Sequence, residues 1–220
     1  GVSVDWSGGV YTGTVTDGYA LYLGALVSRR ARAEVRGGTS ISVTRGSIHT
    51  VNGGGWAEQN GVSHVYGGVS ITVSGTGSVE TVYGGGASAL SGGNALVDGS
   101  VTITVTGGNV ERIFGGGYAP ATGSSVVTGD VNISVSGGTV GRISSGGSGN
   151  ATVGGNATVT ISGNAEIAGR VSGSGVNGTS TLILADYGGR DGSFRAEITG
   201  FDALAFTGTT SVSLTAPGLN

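Results

Sequence analysis

The sequence of 220 residues contains no cysteine and no methionine, it has only two prolines, and all ten of its basic residues are arginine. Without cysteine the chain forms neither a disulfide framework nor a thiolate metal site. Without lysine it has no glycine-rich loop ending in Gly-Lys-Ser/Thr, the motif that cradles nucleotide phosphates. These absences exclude the common cysteine-based sites and the phosphate-loop enzymes.

Charge is also scarce, because Asp, Glu, Lys and Arg together make up 10% of the residues and the net charge is −3. The arginines form no long basic stripe, so we expect no nucleic acid partner. No apolar run approaches the ~18 residues that a membrane-spanning helix needs, so we expect no membrane insertion of this segment.

Glycine is present in excess, at 49 residues of 220, a share well above the average usage of ~7%. Low charge and abundant valine and isoleucine argue against disorder. Glycine does not recur at every third position, which excludes a collagen helix. The sequence therefore predicts a folded chain in which glycine serves the turns.

A repeat explains where the glycines stand. "GSVETVYGGG" occupies residues 77–86 and "GNVERIFGGG" residues 108–117, and similar glycine triplets recur every 30 or 31 residues. Each unit has three short β-like segments. In the first, Ile71 and Val73 face one way and the Ser and Thr residues the other, because side chains alternate along a strand. In the second, apolar residues stand three apart, as Val79 and Val82 do, which predicts a bend.

This periodicity predicts an all-β fold, a parallel β-helix (β-solenoid) with about 30-residue turns of three strands and irregular terminal caps. A β-sandwich is the alternative. We divide the chain into an N-terminal cap or irregular first turns (1–38), regular repeats (39–176) and C-terminal turns or a cap (177–220). Within the last part, "FDALAF" at residues 201–206 predicts another buried alternation, and "SVSLT" at 211–215 a further strand.

Two acidic residues, Glu80 and Glu111, occupy equivalent positions of successive units, and His49 stands at the same position one unit earlier. Such a column could bind a metal or supply an acid and a base. The favoured interpretation is that both are solvated surface residues, with Arg112 and Arg142 relieving their repulsion. We expect no catalytic residue, no metal site and no cofactor.

The outward residues of the first segment predict a flat array of small hydroxyl side chains in three columns. Regular threonine arrays on a β-solenoid resemble the ice-binding surfaces of antifreeze proteins, although here Ser and Thr are mixed where that family favours Thr-x-Thr. The plainer alternative is that Ser and Thr suit an exposed strand. The candidate residues of the middle column are Thr72, Thr104, Ser134 and Thr160.

Aromatic residues cluster at the glycine triplets, and we expect the variable stretches after each triplet to be loops, where recognition residues concentrate. Their rings could stack on sugars, contact a protein or pack on one another. The candidate contact residues are Trp56, Tyr83, Phe114 and Tyr118.

The stretches "TITVTGGNVERIFGGG" and "VTGDVNISVSGGTVGRISSGG" resemble the Gly-rich repeats of bacterial surface adhesins and autotransporter passenger proteins, over roughly residues 39–215. The resemblance implies an extracellular or cell-surface protein with a non-enzymatic structural or adhesive role. Its expected partners are further copies of itself, end to end or side by side, and a host or matrix glycan or protein. The other functions left open are ice binding and a polysaccharide-active β-helix enzyme.

Overall fold

A computed structural model describes residues 3–6, 9–12, 18–22, 26–27, 30–89, 92–120, 122–188 and 194–210. The regular secondary structure of these residues consists of β-strands, and the paired strands run parallel. Successive turns stack into a β-solenoid, which confirms the predicted fold class. No helix long and apolar enough to cross a membrane occurs in the described ranges.

The described strands are, in chain order, β1 (Ser3–Trp6), β2 (Gly9–Thr12), β3 (Gly18–Tyr22), β4 (Leu26–Val27), β5 (Arg32–Val35), β6 (Thr39–Val43), β7 (Ser47–Asn52), β8 (Trp56–Glu58), β9 (Val62–Val65), β10 (Val69–Val73), β11 (Ser78–Tyr83), β12 (Ala87–Ala89), β13 (Asn94–Val97), β14 (Val101–Phe114), β15 (Tyr118–Ala119), β16 (Ser124–Val127), β17 (Val131–Ser144), β18 (Ser148–Gly149), β19 (Ala151–Val153), β20 (Ala157–Gly163), β21 (Glu166–Ile167), β22 (Arg170–Ser172), β23 (Ser180–Tyr187), β24 (Glu197–Thr199) and β25 (Ala203–Thr207).

Each turn passes through three sheets. Sheet A has the order β1-β5-β9-β13-β16-β19, and sheet C has the order β18-β15-β12-β8-β4. The other strands form the 14-stranded sheet B, which each turn crosses in two strips, for example β10 and then β11. The turns that begin at β1, β5, β9, β13 and β16 contribute to all three sheets. The described strands after β19 continue sheet B alone.

The core is a set of apolar columns, because like residues of successive turns pair with one another. Ile71 of β10 pairs with Ile41 on one side and Ile103 on the other, and Ile103 pairs with Ile133. These four side chains are at most 1% exposed. Each turn therefore buries its apolar face only against its neighbours.

The second strip of sheet B shows the predicted shift of side-chain alternation. Val79 and Val82 are both buried although they stand three residues apart, and Val110 and Ile113 repeat the arrangement one turn later. A strand with unbroken alternation would point one of each pair outward. The side-chain alternation therefore shifts between the two residues of each pair.

The expectation of loops after the glycine triplets is wrong. These stretches contain the short strands of sheet C. A complete turn therefore has four strands when its two strips of sheet B are separate strands. In the turns of β14 and β17 the two strips of sheet B run on as single strands of 14 residues. Sheet C is held by backbone hydrogen bonds, which do not depend on side-chain identity. For example, the Tyr118 N–H donates to the Gly86 carbonyl at 3.0 Å.

The predicted burial of residues 201–206 is also wrong. Leu204 and Phe206 of β25 pair with Leu182 and Leu184 of the preceding turn, yet they are 40% and 49% exposed. Their register continues the core columns, but β25 is the last strand of its sheet within the described residues. The strand predicted at 211–215 lies outside the described residues.

A polar cluster lies on the outer side of sheet A. Arg32 forms an ion pair with Glu34, and its Nη2 donates to the Tyr66 hydroxyl at 3.1 Å and faces His64 Nδ1 at 3.5 Å. The His64 ring stacks on Tyr66 with centroids 3.8 Å apart, and His64 is 8% exposed. Burial lowers the pKa of His64, and the charge of Arg32 lowers it further. The neutral form of His64 is therefore favoured, and its Nδ1 faces the Arg32 guanidinium, which can only donate hydrogen bonds.

The glycine triplets stand where successive backbones come too close for a side chain. A Cβ atom at Gly115 would overlap the carbonyl oxygen of Ser145, the equivalent residue one turn later, and Cγ1 of Val131. Ser145 is buried at the equivalent position one turn later. Glycine returns there in the following turn as Gly173, where a Cβ atom would overlap the carbonyl oxygen of Gly200.

We expect Gly115→Ala to lower the midpoint of chemical denaturation, because the added methyl group must displace backbone or core. Overpacking of this kind costs about 1–3 kcal/mol. The matched control is Ser145→Ala, which should leave the midpoint nearly unchanged. Equal midpoints for the two variants would contradict the close-approach explanation.

We expect the free energy of unfolding to fall as the pH drops below about 6.5, the ordinary pKa of a histidine in the unfolded chain. The pKa of His64 in the folded protein lies lower. Between the two pKa values the unfolded chain binds a proton on His64 that the folded protein does not bind, so the contribution of His64 to the free energy of unfolding is fully present only above about pH 6.5. Denaturation at pH 7 and pH 5 should show this slope reduced in His64→Gln. The control His49→Gln should keep it; the reverse pattern would overturn the assignment.

Candidate binding face

The acidic candidates and two of the aromatic candidates, Tyr83 and Phe114, lie on one surface, the outer side of the second strip of sheet B. We call it the binding face: the outward residues of β7, β11 and the second halves of β14 and β17. Its columns follow the strand register, in which Ser78 pairs with Asn109 and Tyr83 with Phe114. One column carries His49, Glu80, Glu111 and Gly141. Three residues further along the two middle strands stand the aromatic residues Tyr83 and Phe114.

Three aromatic rings form a cluster at one edge of this face. Tyr83 stacks on Phe114 with centroids 5.2 Å apart, and Tyr118 lies 5.9 Å from Tyr83 at an interplanar angle of 46°. All three side chains are half-buried. Burial raises the pKa of the Tyr83 hydroxyl, and Tyr118 raises it further. The aromatic cluster (Tyr83, Phe114, Tyr118) therefore offers apolar ring surface beside the Tyr83 hydroxyl, which stays protonated.

Trp56 lies apart from this cluster. It begins β8 in sheet C, where Ala87 of the next turn separates it from Tyr118 of the turn after that. Its indole Nε1 donates to Glu58 Oε1 at 2.8 Å. Of the four aromatic candidates, the structure brings three together.

A groove runs along the binding face across the strands, at the positions that precede Tyr83 and Phe114. It has a volume of about 720 Å³ and is lined over four turns by residues that include His49, Glu80, Glu111 and Gly141. A second cavity of about 550 Å³ continues it past Gly141 to Ala168. From the turn of His49 to that of Ala168 the groove spans about 19 Å, since stacked strands lie ~4.8 Å apart. Its size suits an extended ligand.

The acidic residues of the groove are held in a charge network. Glu80 pairs with His49 through Oε2 and with Arg112 Nη2 through Oε1 at 2.9 Å. The same Nη2 reaches Glu111 Oε1 at 3.0 Å. The expectation that arginine offsets the two glutamates is confirmed for Arg112.

The expectation is not met for Arg142, which forms an ion pair with neither glutamate. By register Arg142 pairs with Arg112 of the preceding turn. Arg170 stands just before Val171, the partner of Ile143, and so occupies the next position. We call these three residues, which stand on successive turns, the arginine column. Sequence reasoning missed it, although Arg112 and Arg142 are 30 residues apart, the period of the repeat.

The geometry bears on the alternatives for His49, Glu80 and Glu111. No group of three or more His, Cys, Asp or Glu residues that could hold a metal ion occurs in the described part of the chain, so the metal column allowed by the sequence does not form. Both carboxylate oxygens of Glu80 are engaged, and Glu111 shares its arginine. This arrangement favours charge pairing over transfer of a proton to a substrate.

The hydroxyl face forms on the first strip of sheet B, with one change. Thr72 pairs with Thr104, Thr104 with Ser134, and Ser134 with Thr160, so the middle column is in register and half-buried. The third predicted column is broken, because a register shift pairs Thr106 with Gly137 instead of the expected serine. Two continuous columns remain.

Comparisons of the chain with protein-family models, with curated proteins and with solved structures gave no match. The resemblance to bacterial surface proteins therefore rests on the repeated residue pattern itself. The β-solenoid architecture stands independently of it, on the strand pairing.

Proposed function

We propose that this protein is a non-enzymatic extracellular scaffold with a structural and adhesive role, and that its binding face contacts a glycan or protein of a host or matrix. The observation that carries the proposal is the aromatic cluster of Tyr83, Phe114 and Tyr118 at the edge of the face that holds an open groove, whose lining includes the charged residues Glu80 and Glu111. Aromatic faces stack on the apolar faces of sugar rings, while polar groups in a groove bind the hydroxyl groups.

The rigidity of the scaffold supports this role. The binding face is built on strands whose opposite side is the apolar core, so its columns keep a fixed spacing. Preorganised contacts bind at a lower entropic cost than contacts on mobile loops. The Gly-rich repeat pattern adds the resemblance to surface adhesins.

The exposed edge at β25 supports self-association. Leu204 and Phe206 continue the core columns at the end of the described solenoid and are partly exposed. A strand edge with apolar side chains is a template for pairing with another chain. End-to-end stacking of copies would cover it.

We expect the double variant Tyr83→Ala, Tyr118→Ala to bind a retaining polysaccharide about tenfold more weakly than the wild type, because two stacking rings are lost. The measurement is affinity electrophoresis in gels that contain neutral or acidic polysaccharides, with denaturation midpoints to establish folding. Tyr66→Ala is the control, since it removes an exposed ring that follows β9 of sheet A, outside the binding face and away from the edge at β25. Equal retention of the double variant and the wild type would contradict adhesion through the cluster.

Negative-stain electron microscopy of the same samples and of Phe206→Ala shows whether the protein assembles into filaments. Filaments that shorten in Phe206→Ala would support end-to-end stacking, and single short particles at every concentration would remove that part of the proposal.

Ice binding by the hydroxyl face is the second candidate function, favoured by the in-register middle column. If it holds, the wild type should show thermal hysteresis, and Thr104→Tyr should abolish it by interrupting the flat face. Thr152→Tyr, on the outer side of sheet A, should keep it. Freezing behaviour identical to that of an unrelated protein would eliminate this candidate.

A further inference from the structure

The arginine column meets carboxylates on two of its three turns. Arg112 is bound by Glu80 and Glu111 at 2.9 and 3.0 Å. Arg170 donates through Nε and Nη2 to Glu197 Oε2, at 3.0 Å from each. At both positions the chain supplies the anion that pairs with the guanidinium.

Arg142, between them, has no such partner. It is exposed, and no carboxylate of the described residues lies within ion-pair distance of it. It also stands between two other arginines, a position that like charges make unfavourable unless an anion is present. At this turn the arginine column therefore has a positive charge with no carboxylate of the described residues to pair with it.

The space that a carboxylate would need is open at the same turn. Gly141 occupies the position of Glu80 and Glu111 and has no side chain, and Ala168 follows it. A Cβ atom at Gly141 would overlap the carbonyl oxygen of Glu111, so the close backbone keeps this position bare. The result is a notch, the cavity of about 550 Å³ whose lining includes Arg112, Gly141 and Arg142.

We propose that this notch binds a carboxylate group of an acidic polysaccharide, which pairs with Arg142 as Glu80 and Glu111 pair with Arg112. The proposal rests on the function proposed above, since it names the class of glycan that the binding face takes. A guanidinium presents two parallel N–H groups to a carboxylate, the geometry that arginine recognises best.

The surroundings favour an acidic polysaccharide over a nucleic acid. Glu80 and Glu111 line the same groove and would repel a chain with a charge on every phosphate, and the protein as a whole has a net charge of −3. A glycan with one carboxylate on a sugar can place its acid at Arg142 and its neutral rings toward the aromatic cluster. Phe114 stands two residues after Arg112 on β14, so the two features share one surface.

The test uses a pectin in which only a minority of the galacturonate carboxyl groups is free and compares it with the fully methyl-esterified form in affinity electrophoresis, at low and at moderate salt. The wild type should be retained more strongly by the acid than by the ester. Arg142→Gln should weaken retention by the acidic pectin about fivefold and leave retention by the ester unchanged. Arg36→Gln, with the same change of charge away from the groove, should behave as the wild type. Arg142→Lys should recover part of the loss, since it keeps the charge without the planar fork.

Several outcomes would overturn the proposal. Equal retention by acid and ester would show that the carboxylate is not recognised, and equal losses in Arg142→Gln and Arg36→Gln would show an effect of net charge alone. Retention by single-stranded oligothymidylate that Arg142→Gln abolishes would make the ligand a nucleic acid. If the double tyrosine variant loses polysaccharide binding while Arg142→Gln does not, the adhesive function is supported and the carboxylate subsite is refuted. If no polysaccharide is retained by the wild type, both are refuted.

Discussion

The parallel, in-register stacking of one turn on the next is the constraint on which the rest of this molecule depends. In the described strands the backbone pairs with the neighbouring turns, so the nearest neighbours of a strand residue are its equivalents one period before and after it. Ile71 lies between Ile41 and Ile103 for this reason, and Gly115 must be glycine because its equivalent, Ser145, approaches too closely. Core, corners and surface columns are consequences of the same repeat, and each turn depends on its neighbours for stability.

Much of this architecture could be predicted because the signals repeat. The buried columns follow from the alternation of Ile and Val, and the burial of both Val79 and Val82 follows from the recurrence of apolar residues at this spacing. Sheet C could not be predicted, since strands of two or three residues have no periodicity and pair through the backbone alone. The break of the third hydroxyl column at Thr106 could not be predicted either, because it arises from a register shift at a glycine pair. The exposure of Phe206 depends on what stacks beyond it, which residue alternation does not encode.

The binding face shows how a repeating scaffold acquires an irregular surface. Along a column the backbone position is constant and only the side chain changes, from His49 through Glu80 and Glu111 to Gly141. The sequence located this column and its neighbouring aromatic residues correctly. It could not indicate which arginine pairs with which glutamate, because one Nη2 group of Arg112 serves both acids and leaves none for Arg142. That choice depends on side-chain geometry across turns, which the linear spacing leaves undetermined.

The fixed period also gives the molecule a form of modularity. Since contacts between turns are made with the adjacent copies, a whole unit could be duplicated or removed in frame and the two new neighbours would still be complementary. A duplication around Glu111 would lengthen the groove by one step and keep its cross-section, whereas loss of the unit with Gly141 would close the notch. In such a protein the length of the bound ligand and the pattern of charges it must carry can evolve by changes in copy number, with no new fold required.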